Sequence, residues 1–135
     1  MIHFDSSFLI DLHREVKTER LSSAFEFIET LDDREALGVS VHVVCELRGG
    51  AELCKRPMQE HEALDQLLRG FHIAHTDERF MPVYARLYAS LARPGHLIGA
   101  MDLLIATHAL VEDAALVTKN TKHFSRVPGL RVLSY

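Results

Sequence analysis

The fold is set first by residues 2–12, which read IHFDSSFLIDL. The short apolar segment Met1–Phe4 is typical of a buried strand, and Asp5 ends it. Ser6 and Ser7 then offer N-caps for a helix. The predicted buried positions of that helix are Phe8, Leu9 and Leu12. A strand that leads directly into a helix is typical of the first unit of a parallel α/β protein.

The same alternation of strand and helix continues along the chain. Further strands are predicted at Ala36–Val41, Phe71–Thr76, Ala115–Thr118 and Leu130–Leu133. Between them, apolar residues recur at helical spacing, as they do at Leu21, Ala24, Phe25, Ile28 and Leu31. A helix at Gly99–Glu112 leads into the fourth strand. This order predicts a parallel sheet with helices on both faces and right-handed crossovers.

Length and composition fit one globular domain, residues 1–135, with 47% hydrophobic and 25% charged residues. Disordered tails, collagen-like repeats and disulfide scaffolds are excluded. The apolar runs are too short to span a bilayer, and Met1–Asp5 lacks the basic region of a signal peptide. Cys45 and Cys54 lie among apolar residues without metal-ligand spacing. We therefore expect both to be reduced and buried, in a cytoplasmic protein with no membrane partner.

Charge is unevenly distributed along the chain. The net charge is -4, which argues against a protein that holds nucleic acid through a bulk positive field. No Asp or Glu follows Asp113, however, and four cations do: Lys119, Lys122, Arg126 and Arg131. Four charges are few enough that this distribution can arise by chance. The functional interpretation is a rim of cations that meets a phosphate chain beside an acidic centre.

Polar side chains interrupt apolar sequence where an open parallel sheet binds its ligands, outside the carboxyl ends of the strands. Asp5 follows the first strand, and Glu46 lies six residues past Ser40 in the helix after the second. Asp102 lies in the first turns of the helix before the fourth strand, and Asn120 comes two residues after that strand. Burying a lone carboxylate is costly, so each of these acids needs a compensating partner.

Each acid also has a purely structural interpretation. Asp5 could be an N-cap, and Asp102 could be a first-turn acid that the helix dipole favours. Glu46 could pair with Arg48, although residues two apart do not face each other on a helix. Taken together, three acids at one edge of the sheet favour a hard divalent cation with oxygen ligands.

Four segments carry a resemblance to a known family. They are IHFDSSFLID (residues 2–11), SVHVVCEL (40–47), IGAMDLLIATHAL (98–110) and LVTKNTKHF (116–124), the last followed by Pro128-Gly129-Leu130. In order, they resemble the four motifs of PIN-domain nucleases. Their order, their spacing and the chain length resemble those of the VapC toxins of type II toxin-antitoxin systems. The resemblance spans nearly the whole chain, and the third and fourth motifs together are its most specific part.

The resemblance implies a three-layer α/β/α fold with a central five-stranded parallel sheet in the order 3-2-1-4-5. It implies that Asp5, Glu46 and Asp102 bind Mg²⁺, with Mn²⁺ as a substitute, and that Asn120 completes the catalytic set. Many relatives carry an acid where Asn120 stands and often another near His123. Neither position is acidic here, which lowers the negative charge available to a second metal ion.

The chemistry predicted from this resemblance is hydrolysis of RNA phosphodiester bonds by a metal-activated water, which attacks in line and leaves a 5′-phosphate. Ser6 and Thr118 are expected to offer hydroxyl contacts to water or phosphate. Lys119, Lys122 and Arg126 are expected to position the RNA backbone without reading its sequence.

Other classes of protein were weighed against the same residues. His72 and His75 are three apart in a predicted strand and point to opposite faces, which disfavours a zinc pair. A phosphoacceptor receiver domain needs a second acid beside Asp5, where Ser6 stands. The remaining alternative, favoured by Asn120, is a catalytically weak module that binds RNA or a protein partner on the same fold.

The resemblance also implies protein partners. A small antitoxin is expected to occupy the site and an apolar groove beside it. The aromatic residues Phe80, Tyr84 and Tyr88 exceed what one helical stripe requires. Core packing is their first interpretation, and a homodimer interface is the second.

Overall fold

A computed structural model describes residues 1–135. Its strands are β1 (Ile2–Phe4), β2 (Leu37–Ser40), β3 (His72–Ala74), β4 (Ala115–Val117) and β5 (Val132–Leu133). All neighbouring strands are parallel, and their order across the sheet is β3-β2-β1-β4-β5. The predicted sheet order is therefore confirmed. The strands are shorter than the apolar segments that predicted them.

Seven helices occupy the connections between the strands. They are α1 (Ser6–Thr18), α2 (Ser23–Glu29), α3 (Val41–Glu52), α4 (Pro57–Leu68), α5 (Phe80–Ala92), α6 (Ala100–Val111) and α7 (Thr121–Phe124). Helix α1 packs against α2 and α3, α3 packs against α4, and α5 packs against α6. Right-handed crossovers place α1 to α4 on one face of the sheet and α5 to α7 on the other, which gives three layers. None of the helices has both the length and the apolar character needed to cross a bilayer.

The core on the α1 side is built around Phe4 at the end of β1. Its ring packs against Phe8 of α1, with centroids 4.5 Å apart, and edge-on against Phe71, at 5.6 Å. Phe4 and Phe8 are fully buried. Burying each such ring contributes about 1.5–3 kcal/mol, and this packing fixes the angle at which α1 leaves the sheet. The first turn of α1 is consequently held at the carboxyl end of β1.

The opposite face of β1 carries a buried histidine. The His3 ring lies over Gly38 of β2, where an added Cβ would come within 2.5 Å of it. The His3 Nε2 lies 2.8 Å from Glu112 Oε2, and His72 of β3 lies 3.2 Å from the other oxygen of the same carboxylate. Glu112 therefore ties the end of α6 to two strands of the sheet.

The expected burial of the two cysteines is wrong. Both Cys45 and Cys54 are free and exposed. The buried positions of α3 are Val43, Leu47 and Ala51, which are four residues apart and form a single stripe. Cys45 lies between two members of this stripe and so points away from it. Apolar neighbours in sequence are thus a poor guide to burial on a helix.

Candidate active site

Asp5 combines a structural role with a position at the edge of the sheet. It is the N-cap of α1, and its Oδ1 accepts a hydrogen bond from the Phe8 N–H at 3.0 Å. The same oxygen accepts a hydrogen bond from the Ser7 hydroxyl at 2.7 Å. The other oxygen, Oδ2, accepts one from the Thr118 hydroxyl at the end of β4. Only 5% of Asp5 is exposed, so these three donors fix the carboxylate in a single orientation.

Opposing effects act on the pKa of the Asp5 carboxyl group. Burial raises the pKa of its carboxyl group, and the nearby charge of Asp102 raises it further. The hydrogen bonds from Thr118, Ser7 and Phe8 act in the opposite direction because they stabilise the ionised form. A positive charge placed between Asp5 and Asp102 would relieve both the desolvation and the repulsion.

Asp102 lies in the first turn of α6, where the helix dipole favours a negative charge. Its side chain is 31% exposed, and its Oδ2 lies 3.6 Å from Nδ1 of His123 on α7. The same Nδ1 lies 2.8 Å from the side-chain amide nitrogen of Asn120. The structure therefore brings Asp5, Asp102, Asn120 and His123 together at the carboxyl ends of β1 and β4.

Glu46 occupies a different environment from the two aspartates. It is exposed on α3 and makes no hydrogen bond or ion pair. It lines a cavity of about 240 Å³ between α1, α3 and α4, whose other walls include Ile10, Leu47 and Leu64. Ser40, which accepts a hydrogen bond from the His42 N–H at 3.1 Å, starts α3 as predicted. Glu46 thus remains a predicted ligand on a helix that begins at the carboxyl end of β2.

The residues present fit a divalent cation that takes few protein ligands. No group of three or more His, Cys, Asp or Glu side chains lies in an arrangement that could hold a metal ion, so any cation here has at most two such ligands in this conformation. Mg²⁺ typically binds through one or two carboxylates and keeps several of its waters. Asp5 and Asp102 supply such a pair of hard oxygen donors, and they lie close enough for the charge of one to raise the pKa of the other.

The hydroxyl contacts differ from those expected. Ser6 makes no side-chain hydrogen bond, whereas Ser7 donates to Asp5 and accepts one from the Lys119 N–H at 3.3 Å. Thr118 is fully buried, so its hydroxyl contacts Asp5 and the backbone N–H of Asn120, at 2.9 Å, and is not open to phosphate. The N-cap geometry of Asp5 could have indicated Ser7, because the second and third residues after a cap face its side chain.

The predicted cations lie beside this cluster. The ammonium group of Lys119 is paired with Asp11 and lies 5.7 Å from the centroid of the Tyr135 ring. Lys122, on α7, and Arg126, just after it, are exposed and make no ion pair. Both remain free to meet an anion from solution.

Comparison with known proteins agrees with the fold. The family model of the PIN domain matches residues 2–130. Ribonuclease VapC2 of Rickettsia felis is 35% identical over 108 residues, which cover 80% of this chain and 81% of the relative. The crystal structure of VapBC2 from Rickettsia felis bound to a promoter DNA fragment superposes with a TM-score of 0.87 at 30% identity, and covers 99% of this chain and 98% of its own. VapBC-1 from nontypeable Haemophilus influenzae superposes with a TM-score of 0.83 at 28% identity, with the same coverage. The chain therefore belongs to the PIN-domain family and, within it, to the VapC ribonucleases.

Proposed function

We propose that this protein is a divalent-metal-dependent endoribonuclease and the toxin of a type II toxin-antitoxin pair, acting in the cytoplasm. The observation that carries the proposal is the pairing of the buried Asp5 with Asp102 at the shared edge of β1, β4 and α6. Membership of the VapC family, whose members include Ribonuclease VapC2 of Rickettsia felis, supplies the substrate class.

The cation would be held by Asp5 and Asp102, with Glu46 as the third carboxylate and Mg²⁺ or Mn²⁺ as the metal. When bound, such a cation lowers the pKa of water and neutralises charge that develops on the phosphate. Ser7 and Thr118 favour the ionised form of Asp5 and orient it by donating one hydrogen bond to each of its oxygens. In the mechanism, these two hydroxyl groups hold the Asp5 carboxylate in place before the substrate binds.

Asn120 acts through His123 in this proposal. Its amide lies 2.8 Å from the imidazole Nδ1, and this holds an exposed ring beside Asp102. An imidazole in that position can hold or move a proton at the edge of the carboxylate pair. Asn120 is therefore a positioning residue here. Asn120 stands where many relatives carry an acid, and this difference also favours the alternative function, a catalytically weak binding module.

The cations beside the site would bind the phosphates of the RNA backbone. Lys122 and Arg126 offer unpaired charges, and Lys119 offers the donors that its contact with Asp11 leaves free. Contacts of this kind go to phosphates, so they contribute affinity and orientation but no sequence discrimination.

Two surface features support two protein partners, an antitoxin and a second copy of the chain. The cavity lined by Ile10, Leu47 and Leu64 is an apolar groove with Glu46 at its edge, as expected for an antitoxin segment that covers the site. On α5, Tyr88 and Met81 are 46% and 69% exposed. They form the surface on which a second copy of the chain would pack.

The proposal is tested by incubating the purified protein with structured RNAs in the presence of Mn²⁺ or of a chelator. Cleavage is expected only with the metal, and Asp102→Asn is expected to abolish it while leaving the fold intact. Cleavage at the wild-type rate by Asp102→Asn would refute the assignment. RNA that is bound but left whole in Mn²⁺ would favour the binding module instead.

A further inference from the structure

A second cavity, lined by polar residues, lies on the α1 side of the catalytic edge. It plays no part in the proposed cleavage step. Its volume is about 390 Å³, and no hydrophobic residue lines it. Its walls carry three cations, Arg14, Arg20 and Lys119, together with two acids, Asp11 and Glu15. Hydroxyl residues at the end of α1 and the start of α2 complete the lining. We call this space the arginine cavity.

The two acids of the arginine cavity are already compensated. Asp11 accepts a hydrogen bond from the Tyr135 hydroxyl at 2.8 Å and is paired with Lys119 and Arg14. Glu15 accepts hydrogen bonds from three backbone N–H groups at the beginning of α2. Although burial opposes ionisation, these contacts lower the pKa of both carboxyl groups. Neither acid therefore needs a further partner.

The three cations have hydrogen-bond donors to spare. Arg14 uses one terminal nitrogen for Asp11, and a guanidinium group carries five N–H donors. Lys119 likewise has N–H groups beyond the one that contacts Asp11. Arg20 is exposed and makes no ion pair. The cavity thus contains more cationic hydrogen-bond donors than its two acids use, on a protein whose net charge is -4.

Lys119 connects the arginine cavity to the catalytic carboxylate. Its side chain lines the cavity, and its backbone N–H donates to the Ser7 hydroxyl, which in turn donates to Asp5. The preceding residue, Thr118, donates directly to Asp5. Lys119 therefore lies both on the wall of the arginine cavity and next to the catalytic carboxylate.

We propose that the arginine cavity binds a phosphodiester group of the same RNA strand, next to the bond that is cleaved, an inference that rests on the proposed ribonuclease function. Guanidinium and ammonium donors match phosphate oxygens in charge and geometry. No aromatic ring lines the cavity, so a stacked base has no platform there. The subsite therefore adds affinity and strand direction without reading sequence.

The test compares two arginine variants in the Asp102→Asn protein, which is expected to leave RNA uncut. Arg20→Gln removes the cation that has no ion pair. Arg69→Gln is the matched control, because Arg69 is exposed and lies between α4 and β3, at the amino ends of the strands. Fluorescence anisotropy measures the binding of a labelled single-stranded RNA oligonucleotide and of a labelled dinucleotide at several salt concentrations.

Arg20→Gln is expected to weaken binding of the oligonucleotide about two- to fivefold, the range of an exposed ionic contact. The slope of log affinity against log salt should fall by about 0.7, as for one lost phosphate contact to a single strand. The dinucleotide, which can occupy only the catalytic edge, should bind Arg20→Gln as it binds the parent. Arg69→Gln should leave all three quantities unchanged.

Other outcomes overturn the subsite. An oligonucleotide affinity and salt slope unchanged in Arg20→Gln would remove the cavity from the RNA path, even where the wild type cleaves RNA with Mn²⁺. An equal loss for the dinucleotide would place Arg20 at the cleavage site. If inorganic phosphate shifted the NMR signal of the Arg20 side chain while Arg20→Gln bound RNA normally, the ligand would be free phosphate. Failure of the wild type to cleave RNA with Mn²⁺, together with failure of the parent to bind any RNA, would overturn the proposed function as well.

Discussion

The hydroxyl of Thr118 donates a hydrogen bond to the carboxylate of Asp5, across 113 residues of sequence. This contact follows from the register of two neighbouring parallel strands. Phe4 of β1 is paired with Val117 of β4, so the next residue of each strand lies opposite the other. The pair is buried, and the Thr118 hydroxyl joins Ser7 and Phe8 in opposing the rise that burial causes in the pKa of Asp5.

Replacing Thr118 with Val tests the role of this donor. Loss of the hydroxyl raises the pKa of Asp5 further, because burial and the charge of Asp102 are then opposed only by Ser7 and Phe8. The acid limb of the cleavage rate against pH should therefore move to higher pH. A buried carboxylate that loses a hydrogen-bond donor should also destabilise the fold by about 1–3 kcal/mol. Cleavage assays across pH and urea unfolding measure the two effects.

Thr118→Ser is the matched control for this prediction. It keeps the hydroxyl that donates to Asp5 and accepts from the Asn120 N–H, and it loses only a methyl group. Its pH profile should match that of the wild type. A shift of equal size in both variants would mean that Thr118 acts through packing and not through its hydrogen bond.

Asp5→Asn should separate activity from stability. The folded-state pKa of Asp5 is raised, chiefly by burial, so its contribution to stability is present at low pH and is lost as the pH rises through that pKa. An uncharged amide keeps an oxygen for the Phe8 N–H and removes the repulsion with Asp102. Cleavage should fall at least about 100-fold, whereas Tm at neutral pH should rise. A Tm that fell at neutral pH would contradict this assignment of Asp5 as an electrostatically strained ligand.

Local patterns were sufficient to predict a parallel sheet and the acids at its edge, whereas the order of the strands was implied by the resemblance to PIN-domain nucleases. Asp5 and Asp102 each interrupt an apolar segment next to a predicted strand, and parallel strands bring their carboxyl ends to one edge. The helix after β2 was placed correctly because Ser40 is a good N-cap. These features depend on residues close together in sequence.

The contacts that link distant segments could not be predicted in the same way. The bridge from His3 through Glu112 to His72 depends on the register of three strands and on where α6 ends. The partner of Lys119 is Asp11, on another element, and no spacing rule joins the two. The positions of Ser7 and Cys45, by contrast, follow from helix geometry applied residue by residue, and the coarse apolar pattern overlooked them.

Buried histidines should make the fold sensitive to acid. Burial, followed by the charges of His42 and His3, lowers the pKa of His108 to about 4 from an ordinary value of 6.5. The unfolded chain therefore binds a proton at His108 below about pH 6.5, whereas the folded protein binds it only near pH 4. Stability should fall by about 3 kcal/mol as the pH decreases across this window. Urea unfolding at several pH values measures the loss.

The matched pair for this prediction is His108→Leu and His75→Gln. His108 is 2% exposed and its Nε2 has no hydrogen-bond partner, whereas His75 is exposed. The slope of stability against pH should be shallower in His108→Leu and unchanged in His75→Gln. An identical slope in the wild type and His108→Leu would show that other groups account for any sensitivity to acid.

Two glycine substitutions should have opposite effects on stability. A Cβ on Gly38 would lie 2.5 Å from His3 Cδ2 and 2.7 Å from its Nε2, and that buried ring is held by Glu112. Gly38→Ala should therefore destabilise the fold by about 1–3 kcal/mol. A Cβ on Gly49, inside α3, meets nothing within 4 Å. Gly49→Ala should stabilise by about 0.5–1 kcal/mol, so thermal unfolding that ranked the two variants in the reverse order would contradict the close packing of His3 on Gly38.

Glu46 is the third predicted metal ligand, and experiment can separate its role in metal binding from any role in stability. Its side chain is exposed and unbonded, so Glu46→Gln should change the free energy of unfolding by less than about 0.5 kcal/mol. If Glu46 completes the carboxylate set with Asp5 and Asp102, the same change should lower cleavage about 10- to 100-fold and raise the Mn²⁺ concentration needed for half-maximal rate.

The control for this prediction is Glu62→Gln, on α4, which also removes an exposed and unpaired carboxylate but from an element that carries no predicted ligand. Removing either glutamate changes the net charge by the same amount, so a general electrostatic effect on RNA binding would appear in both variants. Only a ligand would change the metal requirement as well as the rate. A Glu46→Gln enzyme with wild-type Mn²⁺ dependence would leave Asp5 and Asp102 as the sole carboxylate ligands.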